Sequence, residues 1–224
     1  MTADEVRLAA LWPFVRDNLP AAPGLVLEIG CGPLGGFVPE LLADGYQAIG
    51  IDPDAPEGPD YRRVEFERYE DSSDVAGIVA CTSLHHVVDL GEVLGKARTM
   101  LAPGGVLVVV EWARELFDEA TARWCFHRLG PQNGAHGWLH ERRAEWQASG
   151  GPWEVCCHGW AEHERLHTAD DMLRELDARF DCRRLGYGPY FFPDLDGVTE
   201  AEEQEAIDAG LIRATCIQFV GTAR

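Results

Sequence analysis

Residues 24–36 read GLVLEIGCGPLGG, and this stretch decides the fold. Leu25, Val26, Leu27 and Ile29 make a short apolar run between Gly24 and Gly30, the pattern of a strand covered on both faces. Gly30, Gly32 and Gly35 then fall in a G-x-G-x-x-G spacing, which lets the chain turn sharply at the strand end and approach a ligand closely. Residues 37–42 suit a helix ending near Gly45. Residues 46–52 (YQAIGID) suit a second strand finishing on Asp52, about twenty residues after the glycine turn.

The alternation continues outward. After the Pro-rich turn PDAPEGP at 53–59, residues 61–66 alternate as a third strand and residues 75–81 make a fourth. Residues 89–102 are spaced as a helix, and 105–111 (GVLVVVE) form a fifth, almost wholly apolar strand. Upstream, Val6, Leu8, Leu11, Trp12 and Val15 lie near one face of a helix over 3–18, which Pro20 closes. Apolar strands alternating with helices require a parallel sheet covered on both sides, so the expected fold class is α/β, doubly wound and mostly parallel. Crossovers in such a sheet are right-handed, and ligands sit beyond the carboxyl ends of its strands. Here those ends are residues 29–32, Asp52, Phe66 with Glu67, residues 81–83, and Glu111.

After Glu111 the rhythm breaks. Residues 112–166 show no clear strand, yet hold six of the seven tryptophans (Trp112, Trp124, Trp138, Trp146, Trp153, Trp160) and five of the eight histidines. Thr168 then caps a helix with Asp170 and Asp171 in its first turn. Candidate strands follow around 182–185 and 214–220, with an acidic loop and helix between them. Without internal repeats or a linker, the expectation is one domain over 1–224. It comprises an N-terminal helix (1–20), a ligand-binding core (21–111), a lid and substrate wall (112–166), and a C-terminal helix and strands (167–224).

The composition excludes several functional classes. At 224 residues and 46% apolar content, the chain can bury one substantial core. Its 38 acids against 19 bases give a formal charge of −19, which repels phosphate backbones and anionic lipid and argues against nucleic-acid or membrane-surface partners. Residues 112–166 are nearly balanced, with six arginines against eight acids, which leaves arginines to meet an anionic group on a small substrate. Seven scattered cysteines are no disulfide framework, and no apolar run suggests a signal peptide or membrane span. A reduced, cytoplasmic monomer or homodimer is the expectation.

A carboxylate at the second strand end can hold the two hydroxyls of a ribose, so the glycine turn with Asp52 points to a nucleoside-bearing ligand. Four segments in order, EIGCG at 28–32, GIDPD at 50–54, VACTSLHHVVDL at 79–90 and LAPGGVLVVVE at 101–111, resemble the class I S-adenosylmethionine-dependent methyltransferases. The resemblance covers about residues 24–111 and, more loosely, the final strand. Glu28 and the LAPGG turn argue against the rival of the same fold, an NAD-dependent oxidoreductase.

The resemblance implies S-adenosyl-L-methionine as cofactor and S-adenosyl-L-homocysteine as product. Glu28, Gly30 and Gly32 would border its methionine part, with Cys31 between them among the cofactor-binding residues, Asp52 would bind the ribose, and Pro53 would lie beside the adenine. Phe66 and Glu67 would sit on the adenine side, although FERYE departs there from the commoner G-D-x pattern. Thr82 and Ser83, with Cys81, would line the methionine side largely through backbone groups. Cys31 and Cys81 read as packing residues rather than nucleophiles.

Methyl transfer is an in-line displacement, so the protein chiefly positions two reactants and supplies a base only when the acceptor is protonated. His85 and His86 follow the fourth strand and are the candidate bases. A helix start there would favour the neutral imidazole; the plain alternative is a hydrogen-bonded structural role. Trp112, His136, Trp138 and His140 are the candidate substrate contacts, the plain alternative being that several tryptophans form the segment's own core. His163-Glu164-Arg165-Leu166-His167 spells H-E-x-x-H, formally a zinc signature. Its polar flanks and the cap at Thr168 make it a chance match, and Cys156, Cys157 and His158 are too crowded for a metal site, so no metal is expected. The function expected is methylation of a small, partly apolar or aromatic molecule, at oxygen. The alternatives are N-methylation of a small amine and a non-catalytic cofactor-binding or regulatory protein.

Overall fold

In the computed structural model, which describes residues 1–70, 74–131 and 137–224, the apolar runs pair as one sheet. Its strands, among the described residues, are β1 (Leu25–Ile29), β2 (Gln47–Ile51), β3 (Tyr61–Arg62), β4 (Val75–Cys81), β5 (Leu101–Trp112), β6 (Phe180–Gly188) and β7 (Cys216–Ala223). They lie in the order β3-β2-β1-β4-β5-β7-β6. The strands β1 to β5 pair in parallel, whereas β7 runs antiparallel to both β5 and β6. The helices are α1 (Ala3–Asn18), α2 (Val38–Ala43), α3 (Leu90–Met100), α4 (Glu119–Phe126), α5 (Trp138–Ser149), α6 (Trp153–His163), α7 (Ala169–Arg179) and α8 (Glu200–Asp208). None of them is long and apolar enough to cross a membrane.

The nearly continuous apolar run of β5 follows from its central place. Leu107 and Val109 pack into one layer with α3 and α7, and Val106, Val108 and Val110 into the opposite layer with α1 and α2. On α3, Leu90, Val93, Leu94, Ala97 and Met100 share the buried face at helical spacing, and Asp89 caps the helix by accepting the Glu92 amide. Thr168 caps α7 in a reciprocal box with Asp171, as its sequence implies. A third cluster lies beyond the carboxyl end of β5. Trp112, Phe117, Phe126, Leu139, Trp153 and Phe191 pack together, drawing residues from 112–166 and from the loop after β6.

Two boundaries differ from the sequence reading. The third strand stops at Arg62, because Phe66–Arg68 turn into a 3-10 helix that buries Phe66 against α3; Phe66 and Glu67 therefore sit on a turn rather than a strand end. His85 and His86 lie on a separate 3-10 turn, Leu84–His86, with α3 beginning only at Leu90 under its Asp89 cap. The start of α3 is thus not what sets their chemistry.

Candidate functional site

Register brings the ends of the central strands level, with Ile29 opposite both Ile51 and Ala80. Gly30 has φ +76°, and its N–H donates to Ile51 O at 2.8 Å. A Cβ there would lie 2.2 Å from Ser83 Cβ, so only glycine lets the first turn pass the fourth-strand end. Gly32 has φ +61°, a left-handed conformation that glycine adopts without strain. Thr82 adopts φ +50° as well, an uncommon conformation for a β-branched residue and one that concentrates at functional sites.

These turns enclose a cavity of about 720 Å³. The residues expected to contact a cofactor, Glu28, Gly30, Cys31, Gly32, Asp52, Pro53, Phe66, Glu67, Thr82 and Ser83, all line it. Asp52 ties two turns together, its Oδ2 accepting the Gly32 N–H at 3.0 Å and its Oδ1 the Asp54 N–H at 2.7 Å. Each oxygen retains a lone pair for a further donor. Arg7 and Leu8 of α1 also line the cavity, which no local motif foretells. Arg7 donates to Tyr190 O, pairs with Asp194 at 2.5 Å and stacks 4.3 Å from the Tyr190 ring, pinning α1 to the loop after β6.

Glu28 is the most unusual group in this wall. It is 1% exposed and accepts the Phe37 N–H at 2.7 Å, and among the described residues it pairs with no cation. Burial pushes its pKa up to about 8; the Phe37 amide opposes the rise and Glu40 adds to it. A cationic ligand would relieve this. Burial likewise pushes the Cys31 thiol up to about 12 and Cys81 well above its ordinary value, so both are thiols suited to packing rather than nucleophiles. The turn carrying Phe66 and Glu67 is held by Lys96, the chain's one lysine, whose Nζ donates to Glu67 O at 2.8 Å and to Tyr69 O.

Beside this cavity, the 3-10 turn after β4 is fixed by Glu111 at the end of β5. Glu111 Oε1 accepts the Ser83 and Leu84 amides at 2.7 and 2.6 Å, and Oε2 accepts the Trp112 amide at 3.2 Å. Oε2 also meets His85 Nδ1 at 2.6 Å. A carboxylate already taking three amide donors can only accept, so Nδ1 of His85 carries the proton between them, and Nε2 has no hydrogen bond to a described residue. His167 clamps the same turn: its N–H donates to His85 O at 3.0 Å, and its Nε2 lies 2.8 Å from Val87 O. Sequence reading gave Glu111 only as a strand end. Its distance of 26 residues from His85 hides the pairing, which parallel β4–β5 register creates.

His85 faces a second, smaller cavity of about 190 Å³ whose other walls are His86, Trp112, Trp138, Trp160, Leu166 and Tyr190. His86 lines both cavities, so it marks their junction. Protein packed around its ring and the neighbouring His85 both lower its pKa, favouring neutral imidazole. Of the expected substrate contacts, the structure brings Trp112 and Trp138 to this cavity and does not bring His140, whose Nε2 instead lies 3.0 Å from Gly130 O. His136 lies outside the described residues. The arginines of 112–166 line neither cavity; Arg123 pairs with Glu119 and Arg142 with Glu145, for example. The expectation that they would meet an anionic substrate is not realised in this arrangement. The H-E-x-x-H segment straddles a helix end: His163 closes α6, Arg165 has φ +57°, and His167 is engaged as above, so the two histidines share no helical face. Among the described residues no His, Cys, Asp or Glu group has metal-binding geometry.

Comparison with known proteins adds the family. A family model described as a methyltransferase domain matches residues 4–179. A ubiquinone biosynthesis O-methyltransferase of Bradyrhizobium sp. (strain ORS 278) is 31% identical over 120 residues, which are 46% of this chain and 47% of the relative. The chain therefore matches about half the length of such curated relatives. An S-adenosylmethionine-dependent methyltransferase from Mesorhizobium loti superposes with TM-score 0.57 at 20% identity, covering 96% of this chain and 98% of the other. The 1,6-didemethyltoxoflavin-N1-methyltransferase of Burkholderia thailandensis, solved with bound 1,6-didemethyltoxoflavin and S-adenosylhomocysteine, gives TM-score 0.52 at 14% identity, covering 99% of this chain and 78% of the other. These two likenesses carry the fold. The match over most of the chain, together with the glycine turn, the strand-end acid and the sheet order, settles the family: this chain belongs to the class I, S-adenosylmethionine-dependent methyltransferases.

Proposed function

We propose that this protein transfers a methyl group from S-adenosylmethionine to a hydroxyl oxygen of a small, partly apolar or aromatic molecule. The observation that carries the reading is the junction at His86. One side is a cavity lined by every residue expected to hold the cofactor; the other is an aromatic cavity in which Glu111 orients His85. The residues fit the cofactor on physical grounds. The larger cavity lies within the usual range of ligand pockets, about 300–1,000 Å³. Asp52 has lone pairs left for ribose hydroxyls, and Glu28 is a buried carboxyl without a cationic partner among the described residues.

S-adenosylmethionine supplies an electrophilic methyl group on a sulfonium. Glu28, Gly30, Gly32, Thr82 and Ser83 hold its methionine side, Asp52 its ribose, and Pro53, Phe66 and Glu67 its adenine side. The segment 112–166 serves as a lid whose Trp112 and Trp138 position the acceptor and exclude water. His85 Nε2 receives the acceptor's hydroxyl proton, and the imidazolium so formed is stabilised by Glu111 across the 2.6 Å contact. His86, at the junction, keeps the acceptor oxygen facing the cofactor. The aromatic walls also suit a small amine in its neutral form, which makes nitrogen the competing acceptor atom.

The test combines calorimetry with turnover. S-adenosylhomocysteine should bind and NAD should not. In His85→Ala, turnover should fall by about 10²- to 10⁴-fold while S-adenosylhomocysteine binding is kept. Unchanged turnover in His85→Ala would remove the base, and NAD binding would remove the reading as a whole.

A further inference from the structure

The second cavity has a composition that selects its occupant. Its walls are three indoles, one phenol ring, one leucine and two imidazoles, with no carboxylate, ammonium or guanidinium among them. The rings brace one another: Trp112 lies edge-on to Trp138 at 5.1 Å and near-parallel to Tyr190 at 6.1 Å, and Trp138 meets Trp160 at 5.3 Å. Arg142, buried on α5, stacks on Trp160 with its guanidinium carbon 5.0 Å from the ring centre, and so stiffens the wall. An apolar cavity of about 150 Å³ accepts a benzene molecule. At about 190 Å³, this one has room for a single ring and a small substituent.

Charge discriminates further. An anionic substituent would find no cationic partner in the cavity wall, and burying it unpaired is costly. Trp112, itself 4% exposed, carries an indole Nε1–H with no acceptor among the described residues. An ammonium has no lone pair to give that donor, whereas a hydroxyl oxygen does. An imidazole nitrogen of the His85–His86 pair supplies the complementary acceptor for a hydroxyl proton.

We infer that the cavity takes an uncharged, single aromatic ring bearing a hydroxyl, a phenol in chemical class, and discriminates against carboxylate-bearing and ammonium-bearing rings of the same size. This rests on the methyltransferase reading above for the role of the site, but it is a statement about binding that stands or falls separately.

The experiment uses the full chain saturated with S-adenosylhomocysteine, titrated in parallel with phenol, benzoate and benzylammonium and followed by ligand-observed NMR and tryptophan fluorescence. Phenol should bind saturably, with benzoate and benzylammonium at least tenfold weaker. Trp138→Ala and Trp160→Leu should each weaken phenol by about tenfold, with S-adenosylhomocysteine affinity as the control that the variants are folded. Benzoate or benzylammonium binding as tightly as phenol would overturn the inference. So would the absence of phenol binding, or phenol binding indifferent to both variants. Failure of S-adenosylhomocysteine itself to bind wild-type protein would count against the methyltransferase reading instead, and the same phenol titration without it would still decide the inference.

Discussion

Replacing Glu28 by glutamine should make the protein more stable and a poorer binder of its cofactor, with a pH dependence that identifies the cause. The carboxyl is buried and has no cationic partner among the described residues, and burial pushes its pKa up to about 8 from an ordinary 4.5. Between those values the folded state holds one proton more than the unfolded state. Wild-type stability is therefore fully present below about 4.5, declines as pH rises, and levels off above about 8. One proton corresponds to about 1.4 kcal/mol per pH unit, so at pH 7 the accumulated loss is about 3 kcal/mol. Glutamine resembles the protonated carboxyl and still offers one oxygen to the Phe37 amide. Glu28→Gln should match wild type near pH 4.5 and exceed it by up to about 3 kcal/mol at pH 7. Urea denaturation of the cofactor-free proteins at a series of pH values measures this, and other titrating groups cancel in the difference between the two curves. Wild type should also bind the cationic cofactor more tightly as pH rises towards 8, and the variant should lose that trend. Parallel stability curves for the two proteins would refute the argument.

Two other perturbations separate the layers of the site. Lys96→Met should remove the hydrogen bonds that Nζ donates to the Glu67 and Tyr69 carbonyls and loosen the turn carrying Phe66. Calorimetry should then find cofactor affinity roughly tenfold weaker, equivalent to about 1.4 kcal/mol, with turnover at saturating cofactor unchanged. Trp153 is fully buried, and its Nε1 donates to Phe117 O. Trp153→Ala should cost about 3–5 kcal/mol by thermal or urea melting by removing its packing on Phe117, Phe126 and Trp146, while S-adenosylhomocysteine still binds to the core.

The role of Glu203 shows why some of the site was not legible in the sequence. It sits on α8 in an acidic run that reads as a solvated helix, yet it is 1% exposed and accepts the amides of Tyr190, Phe191 and Phe192. Those three bonds fix the loop that delivers Tyr190 to the aromatic cavity, which no local pattern around residue 190 announces. Arg7 is similar: no motif marks it in the sequence, and it borders the larger cavity only because α1 packs beside β5 and the loop after β6.

The parallel core was legible in the sequence, and so were the residues that line the larger cavity. Both depend on local features: apolar runs of strand length, glycines where φ must be positive, and an acid at the second strand end. Each group lies within a few residues of the strand end that positions it. Tertiary structure alone decided the other half. The Glu111–His85 pair, the Trp112–Trp138–Trp160–Tyr190 walls and the exclusion of the arginines join residues up to about a hundred positions apart. The physical reason is that burial and hydrogen bonding depend on which surfaces pack together. An aromatic-rich segment therefore specifies that a core will form, while the sheet order and helix docking specify which of its rings face the reacting group.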